Sequence, residues 1–243
     1  MVLYSFIASL LTWGLTALGS ATVIFFKKIN KNIMDGMLGF AGGVMIASSF
    51  FSLLNPAISY AEEINIPLFI IVIGFFTGGL ILFFGDKYYE TKINASSSMK
   101  RIIMLIFSIT LHNIPEGMAI GVSFGSGNII NSIALAIGIG IQNLPEGIAV
   151  SVPLLREGYS RKKAFFIGQL SGIVEPIGAV LGCLLVLKIK LLLPFILSFA
   201  AGAMIYVVIS EIIPVSQSNQ SKNIMTLYTM IGFSIMMLLD ILL

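Results

Sequence analysis

The sequence predicts an all-α membrane protein of eight transmembrane helices with both termini on the extracellular or periplasmic side, and three observations carry that prediction. The first is composition: 57% hydrophobic against 10% charged residues, with a mean hydropathy of +1.02, do not describe a water-soluble domain. The second is the recurrence of apolar runs of about twenty residues, the length that crosses a bilayer. The third is where the fourteen Lys and Arg residues fall. Lys27, Lys28, Lys31, Lys87, Lys92, Lys100, Arg101, Arg156, Arg161, Lys162, Lys163 and Lys222 occupy alternate connections, and only Lys188 and Lys190 lie on the other side. The positive-inside rule then places the connections after spans one, three, five and seven in the cytoplasm.

The spans follow in order. Span one, 2–26, is uncharged; it is too long for a signal peptide and lacks a basic leader and a small-residue cleavage site. Spans two and three, 34–58 and 64–85, are apolar and flank the acidic outer loop Glu62-Glu63, with Asp35 at an edge read as interfacial. Spans four, five and six, at 102–125, 129–153 and 164–187, are interrupted only by isolated acidic residues. Spans seven and eight cover 191–213 and 224–243, the last containing Asp240, also read as interfacial. One transmembrane domain, 1–243, accounts for the whole chain. Small-xxx-small pairs such as Gly39/Gly43, Gly74/Gly78, Gly117/Gly121, Gly168/Gly172 and Gly178/Gly182 point to close helix packing. The single Cys183 sits in an apolar run and excludes a disulfide framework or thiolate cluster.

A nine-residue phrase is written twice, thirty residues apart: His112-Asn113-Ile114-Pro115-Glu116-Gly117-Met118-Ala119-Ile120 and Gln142-Asn143-Leu144-Pro145-Glu146-Gly147-Ile148-Ala149-Val150. Each copy puts a carboxylate within an apolar span, where an unpaired charge costs several kcal/mol, so a compensating cation is expected. His112 and Glu116, and likewise Gln142 and Glu146, stand at i and i+4 on one helix face and can reach one cation. Asn113 and Asn143, one step around, can serve a neighbouring position that shares the two glutamates. Pro115 and Pro145 each remove a backbone donor, and Ser171-Gly172-Ile173-Val174-Glu175-Pro176 repeats the pairing of a glutamate with a proline. At 1.5 Å per residue, Met45, His112, Glu116 and Glu175 lie roughly 15–21 Å from the cytoplasmic end of their spans, and Gln142 and Glu146 roughly 10–17 Å, which places them in one layer.

These phrases resemble the Zrt/Irt-like (ZIP) divalent metal transporters, and within them the bacterial branch that includes GufA-type proteins. The resemblance implies an eight-helix 3+2+3 bundle, in which spans one to three and six to eight are inverted repeats around spans four and five. It also implies a two-metal centre, and a transport unit that moves against a dimerising scaffold, hence a homodimer in the bilayer. One metal would be held by His112, Glu116, Gln142 and Glu146 with Met45 as a soft ligand, the second by Asn113, Asn143 and Glu175 with Glu116 and Glu146 as bridges. Some relatives carry Asp where this chain has Asn143. With about −3 from three carboxylates against +4 from two divalent ions, one well-occupied and one weaker site are expected. Glu211, in Ser210-Glu211-Ile212-Ile213-Pro214, stands where relatives have polar residues at the inner mouth, as a transient site.

The donor set suits Zn²⁺, with Cd²⁺, Fe²⁺ and Mn²⁺ also compatible, and suits Cu(I) poorly. The metal is cargo, and no prosthetic group is implied. One histidine cannot make the H-E-x-x-H motif of a metalloprotease, and Ser126 is placed far from His112 for a serine protease. The basic residues flank helices without interleaved aromatics, which excludes nucleic acid as a partner. A gated cation channel and a proton-coupled carrier of another ion stay open on these residues alone.

Overall fold

The computed structural model describes residues 1–25, 30–92, 97–188, 190–217 and 222–242, with the side chains of 34, 89–92, 97, 98, 100, 101, 104, 105, 108, 111, 112, 156, 187, 188 and 190 outside the description. The described residues form helices joined by turns. They are α1 (Val2–Phe25), α2 (Lys31–Ser48), α3 (Asn55–Glu63), α4 (Phe69–Lys92), α5 (Ser97–Ser126), α6 (Ile129–Arg156), α7 (Arg161–Ser171), α8 (Val174–Lys188), α9 (Leu193–Val207), α10 (Ile213–Ser216) and α11 (Lys222–Leu242).

The second expected span is longer than read: α2 continues through a π-helical turn, Ser49–Leu54, into α3. A second π turn, Val208–Ile212, joins α9 to α10. Each is followed by a proline, Pro56 or Pro214, at the first turn of the next helix, where the missing N–H costs little. Helix starts are capped locally. Asn30, Asn128 and Ser160 accept from the backbone N–H of Asn32, Asn131 and Lys163 at the heads of α2, α6 and α7. Gly127 and Gly158, both at positive φ, turn the chain out of α5 and α6.

Seven stretches among the described residues are long and apolar enough to cross a membrane: Val2–Phe25, Lys31–Glu63, Phe69–Tyr88, Ile129–Leu155, Arg161–Val186, Leu193–Ser216 and Lys222–Leu242. The remaining long helix, α5, has 30 residues, about 45 Å at the helical rise.

The four most intimate pairings are α5 with α8, α1 with α6, α2 with α11 and α4 with α9. In each pair the partners run parallel, because contact positions advance together. Gly117 meets Glu175 and Gly121 meets Ala179, Gly140 meets Thr12 and Gly147 meets Ser20, Gly39 meets Met225 and Gly43 meets Phe233, and Gly74 meets Phe195 while Gly78 meets Ala203. Of the expected small-xxx-small pairs, Gly39/Gly43, Gly74/Gly78, Gly117/Gly121 and Gly178/Gly182 lie in three of these seams and Gly168/Gly172 faces α1, whereas the seam of α1 with α6 uses Gly140 and Gly147. A seam of glycines lets backbones approach where lipid supplies no hydrophobic drive to associate.

Candidate metal centre

The motif glycines are the first part of the site. A Cβ on Gly117 would collide with the Glu175 backbone, lying 2.7 Å from its Cα, and one on Gly147 would lie 2.8 Å from Ser20 N and collide with the Thr16 carbonyl. The residue after each motif glutamate is glycine so that α5 can lie against α8 and α6 against α1. That contact carries Glu116, Glu146 and Glu175 into one buried layer, near enough for Glu116 to feel the charge of both others.

Span six is broken, and the break follows from Pro176. Having no N–H, Pro176 leaves the Gly172 carbonyl to accept from Glu175 N at 3.0 Å, and Ile173 N bonds Leu170 O at 3.2 Å. The carbonyls of Gln169 and Ser171 thereby lose the donors a continuous helix would give them. Two side chains take them: Trp13 Nε1 donates to Gln169 O at 2.8 Å and Asn113 Nδ2 to Ser171 O at 2.9 Å. By contrast α5 and α6 run on through Pro115 and Pro145.

Around Glu175, Thr12 Oγ1 donates to Oε2 at 2.5 Å, and Asn143 Nδ2 donates to Oε1 at 2.8 Å and to Thr12 O at 3.2 Å. Both asparagines are therefore held by their amide nitrogens. Their oxygens, Asn113 Oδ1 and Asn143 Oδ1, and both amide atoms of Gln142 are buried with no hydrogen-bond partner among the described residues. An apolar interior charges about 1–3 kcal/mol for each such atom. Carbonyl oxygens presented in this way beside carboxylates suit a hard or borderline divalent cation.

Each expected residue has its place. Asn113, Glu116, Gln142, Asn143, Glu146 and Glu175 are buried together between α1, α5, α6 and α8, and Met45 is fully buried in α2, which packs on α6. The backbone of His112 lies in α5, and its side chain is outside the described residues. Among the described residues, no three His, Cys, Asp or Glu side chains gather tightly enough to cage a metal alone. Glu211 stands apart, half-buried in the second π turn near Asp86, which accepts from the Tyr206 hydroxyl. Asp35 departs from its interfacial reading, for it is fully buried. Asp240 accepts from Ser52 Oγ at 2.9 Å and lines a cavity of about 370 Å³ with Asn55, Ser59, Glu63 and Ser123.

The residues that sequence reading missed lie on α1. Its buried stripe is Ser5, Ser9, Thr12, Thr16, Gly19, Ser20 and Val23, and from it Thr12 and Trp13 bond α8 and α7 while Ser20 Oγ bonds Gly147 O at 3.1 Å. The signal was a hydroxyl at every turn of an otherwise apolar helix, a periodicity easily absorbed into ordinary packing.

The fold and this layer define a multi-pass membrane protein with a carboxylate and amide site sealed in its helix bundle. A profile of the family described as "ZIP Zinc transporter" matches residues 85–240. Zinc transporter ZIP11 of Xenopus tropicalis is 37% identical over 99% of this chain and 97% of its own length. Zinc transporter ZIPB of Bordetella bronchiseptica is 34% identical over 98% of this chain and 80% of its own, and zinc transporter GufA of Myxococcus xanthus 32% over 96% of each. The chain belongs to the ZIP zinc transporter family.

Proposed function

We propose that this protein carries Zn²⁺, and with it Cd²⁺, Fe²⁺ or Mn²⁺, across the cell membrane into the cytoplasm through the buried layer. The observation that carries this reading is that Asn113 Oδ1, Asn143 Oδ1 and both amide atoms of Gln142 are buried with no hydrogen-bond partner among the described residues, beside three carboxylates. His112, Glu116, Gln142 and Glu146, with Met45, hold the principal ion. Asn113, Asn143 and Glu175 border a second, weaker position that shares Glu116 and Glu146. The relatives' names agree with zinc as the cargo.

The route and the movement belong to the same proposal. With both termini outside, the cavity lined by Ser52, Asn55, Ser59, Glu63 and Asp240 is an outer antechamber, and Glu211 with Asp86 lines the inner mouth. An eight-span 3+2+3 bundle is supported by the pairings: exchanging spans one, two and three with six, seven and eight, and four with five, turns α1·α6 into α8·α5 and α2·α11 into α9·α4. The two π turns fall in spans two and seven, which the same exchange relates. Side-chain bonds from Thr12, Trp13, Ser20, Asn113 and Asn143 tie α1, α5, α6, α7 and α8 into one body. That body is the moving unit, and α2, α4, α9 and α11 form the scaffold through which two copies associate.

The test is ⁶⁵Zn²⁺ uptake into proteoliposomes by the wild type, Glu116→Ala and Glu146→Ala. Saturable uptake lost in both variants is expected. Uptake that survives both substitutions overturns the assignment of the site.

A further inference from the structure

Resting on the carrier reading above, we infer that Thr12 and Asn143 together serve Glu175 as an internal substitute for a second cation, with Thr12 the positioning residue that keeps the layer at one ion per chain. Both oxygens of the buried Glu175 carboxylate already have donors, Oε2 from Thr12 Oγ1 at 2.5 Å and Oε1 from Asn143 Nδ2 at 2.8 Å. A charge in an apolar interior needs such partners, and hydrogen bonds to an ionised group are about twice as strong as neutral ones. Here a hydroxyl and an amide supply them from within the chain.

The Asn143 amide cannot easily change sides. Its nitrogen also donates to the Thr12 carbonyl at 3.2 Å. Turning it over to offer Oδ1 to an ion held by Glu175 would set that oxygen against two acceptors. Thr12 cannot easily withdraw either: α1 is pressed on α6 at Gly147, tied there by Ser20, and pinned to α7 through Trp13. The latch spans three helices, with Thr12 from α1, Asn143 from α6 and Glu175 from α8. The principal position keeps its own donors, since Gln142 has both amide atoms without a hydrogen-bond partner among the described residues.

The experiment measures Cd²⁺ bound per chain, by elemental analysis of gel-filtered full-length protein and by titration calorimetry. The wild type is expected to retain one ion through gel filtration, the second position binding too weakly to survive it. Thr12→Val leaves one Glu175 oxygen without its donor, so a second ion should bind roughly ten- to a hundredfold more tightly than to wild type, with the first affinity unchanged. Thr12→Ser keeps the hydroxyl and should return to one ion. Where the valine variant fails to fold, Thr12→Ala removes the same hydroxyl with less change of shape. Two ions on the wild type, or a hydroxyl-less variant that binds one ion with wild-type affinity, overturns the inference. If the first ion still binds the Glu116→Ala/Glu146→Ala double variant, it is the underlying carrier reading that fails, whatever Thr12 does.

Discussion

Gly147→Ala is the sharpest test of how the layer is built. The added methyl would collide with the Thr16 carbonyl and sit 2.8 Å from Ser20 N, whereas non-bonded heavy atoms rest at about 3.5 Å or more. Helices α1 and α6 must part by about 1 Å. The Ser20 to Gly147 bond, at 3.1 Å, and the Asn143 to Thr12 bond, at 3.2 Å, then open to about 4 Å and are lost. Two such bonds at about 0.6–1 kcal/mol each, added to about 1–3 kcal/mol for overpacking, give a loss of about 2–5 kcal/mol. For a chain of this size that lowers the unfolding midpoint by about 4 °C at least. Thermal unfolding followed by size-exclusion fluorescence reads it, with Gly14→Ala as control because a Cβ there meets nothing within 4 Å. A Gly147→Ala protein within 1 °C of wild type, with unchanged ⁶⁵Zn²⁺ uptake, would refute the claim that the motif glycine sets the depth of α1 against the site.

Three further outcomes are expected. Pro176→Ala restores a backbone donor, so α7 and α8 should join and displace Asn113 from Ser171 O; uptake should fall at least tenfold while the unfolding midpoint holds or rises, and unchanged uptake would contradict the role given to the break. Trp13→Phe removes the bond to Gln169 O and should cost about 1 kcal/mol of stability, measured in the same unfolding assay. Asp240→Asn, at the antechamber, should raise the Zn²⁺ concentration for half-maximal uptake with little change in maximal rate, and a fall in maximal rate alone would argue against a capture role.

Much of the fold was legible because the bilayer imposes it. Span length and apolar content are one-dimensional properties, and the duplicated phrase marked Glu116 and Glu146, both of which the fold buries, without any coordinates. The sequence also held the glycine pairs, though not which helix each would meet, since partners such as Gly43 and Phe233 are distant in the chain. Thr12 and Trp13 escaped notice because hydroxyls and indoles are common in membrane helices. Their meaning depends on a freed carbonyl at Gln169 and a carboxylate at Glu175, both on other helices. Asp35 looked interfacial because it lies near a helix start, and its full burial is visible only in the folded chain.

The parallel pairings also bear on how the protein is made. Helices next to each other in the chain run in opposite directions through a membrane, so a parallel partner is never the next helix to be synthesised. Helix α2 must wait for α11, some 190 residues later, which at 5–20 residues per second is roughly 10–40 s of synthesis. Throughout that interval the glycine face of α2 stands without its cover among lipids and insertion machinery. A nascent chain of this kind needs a chaperoning surface in the membrane, and truncations that remove α11 should be cleared by quality control rather than accumulate as partly folded protein.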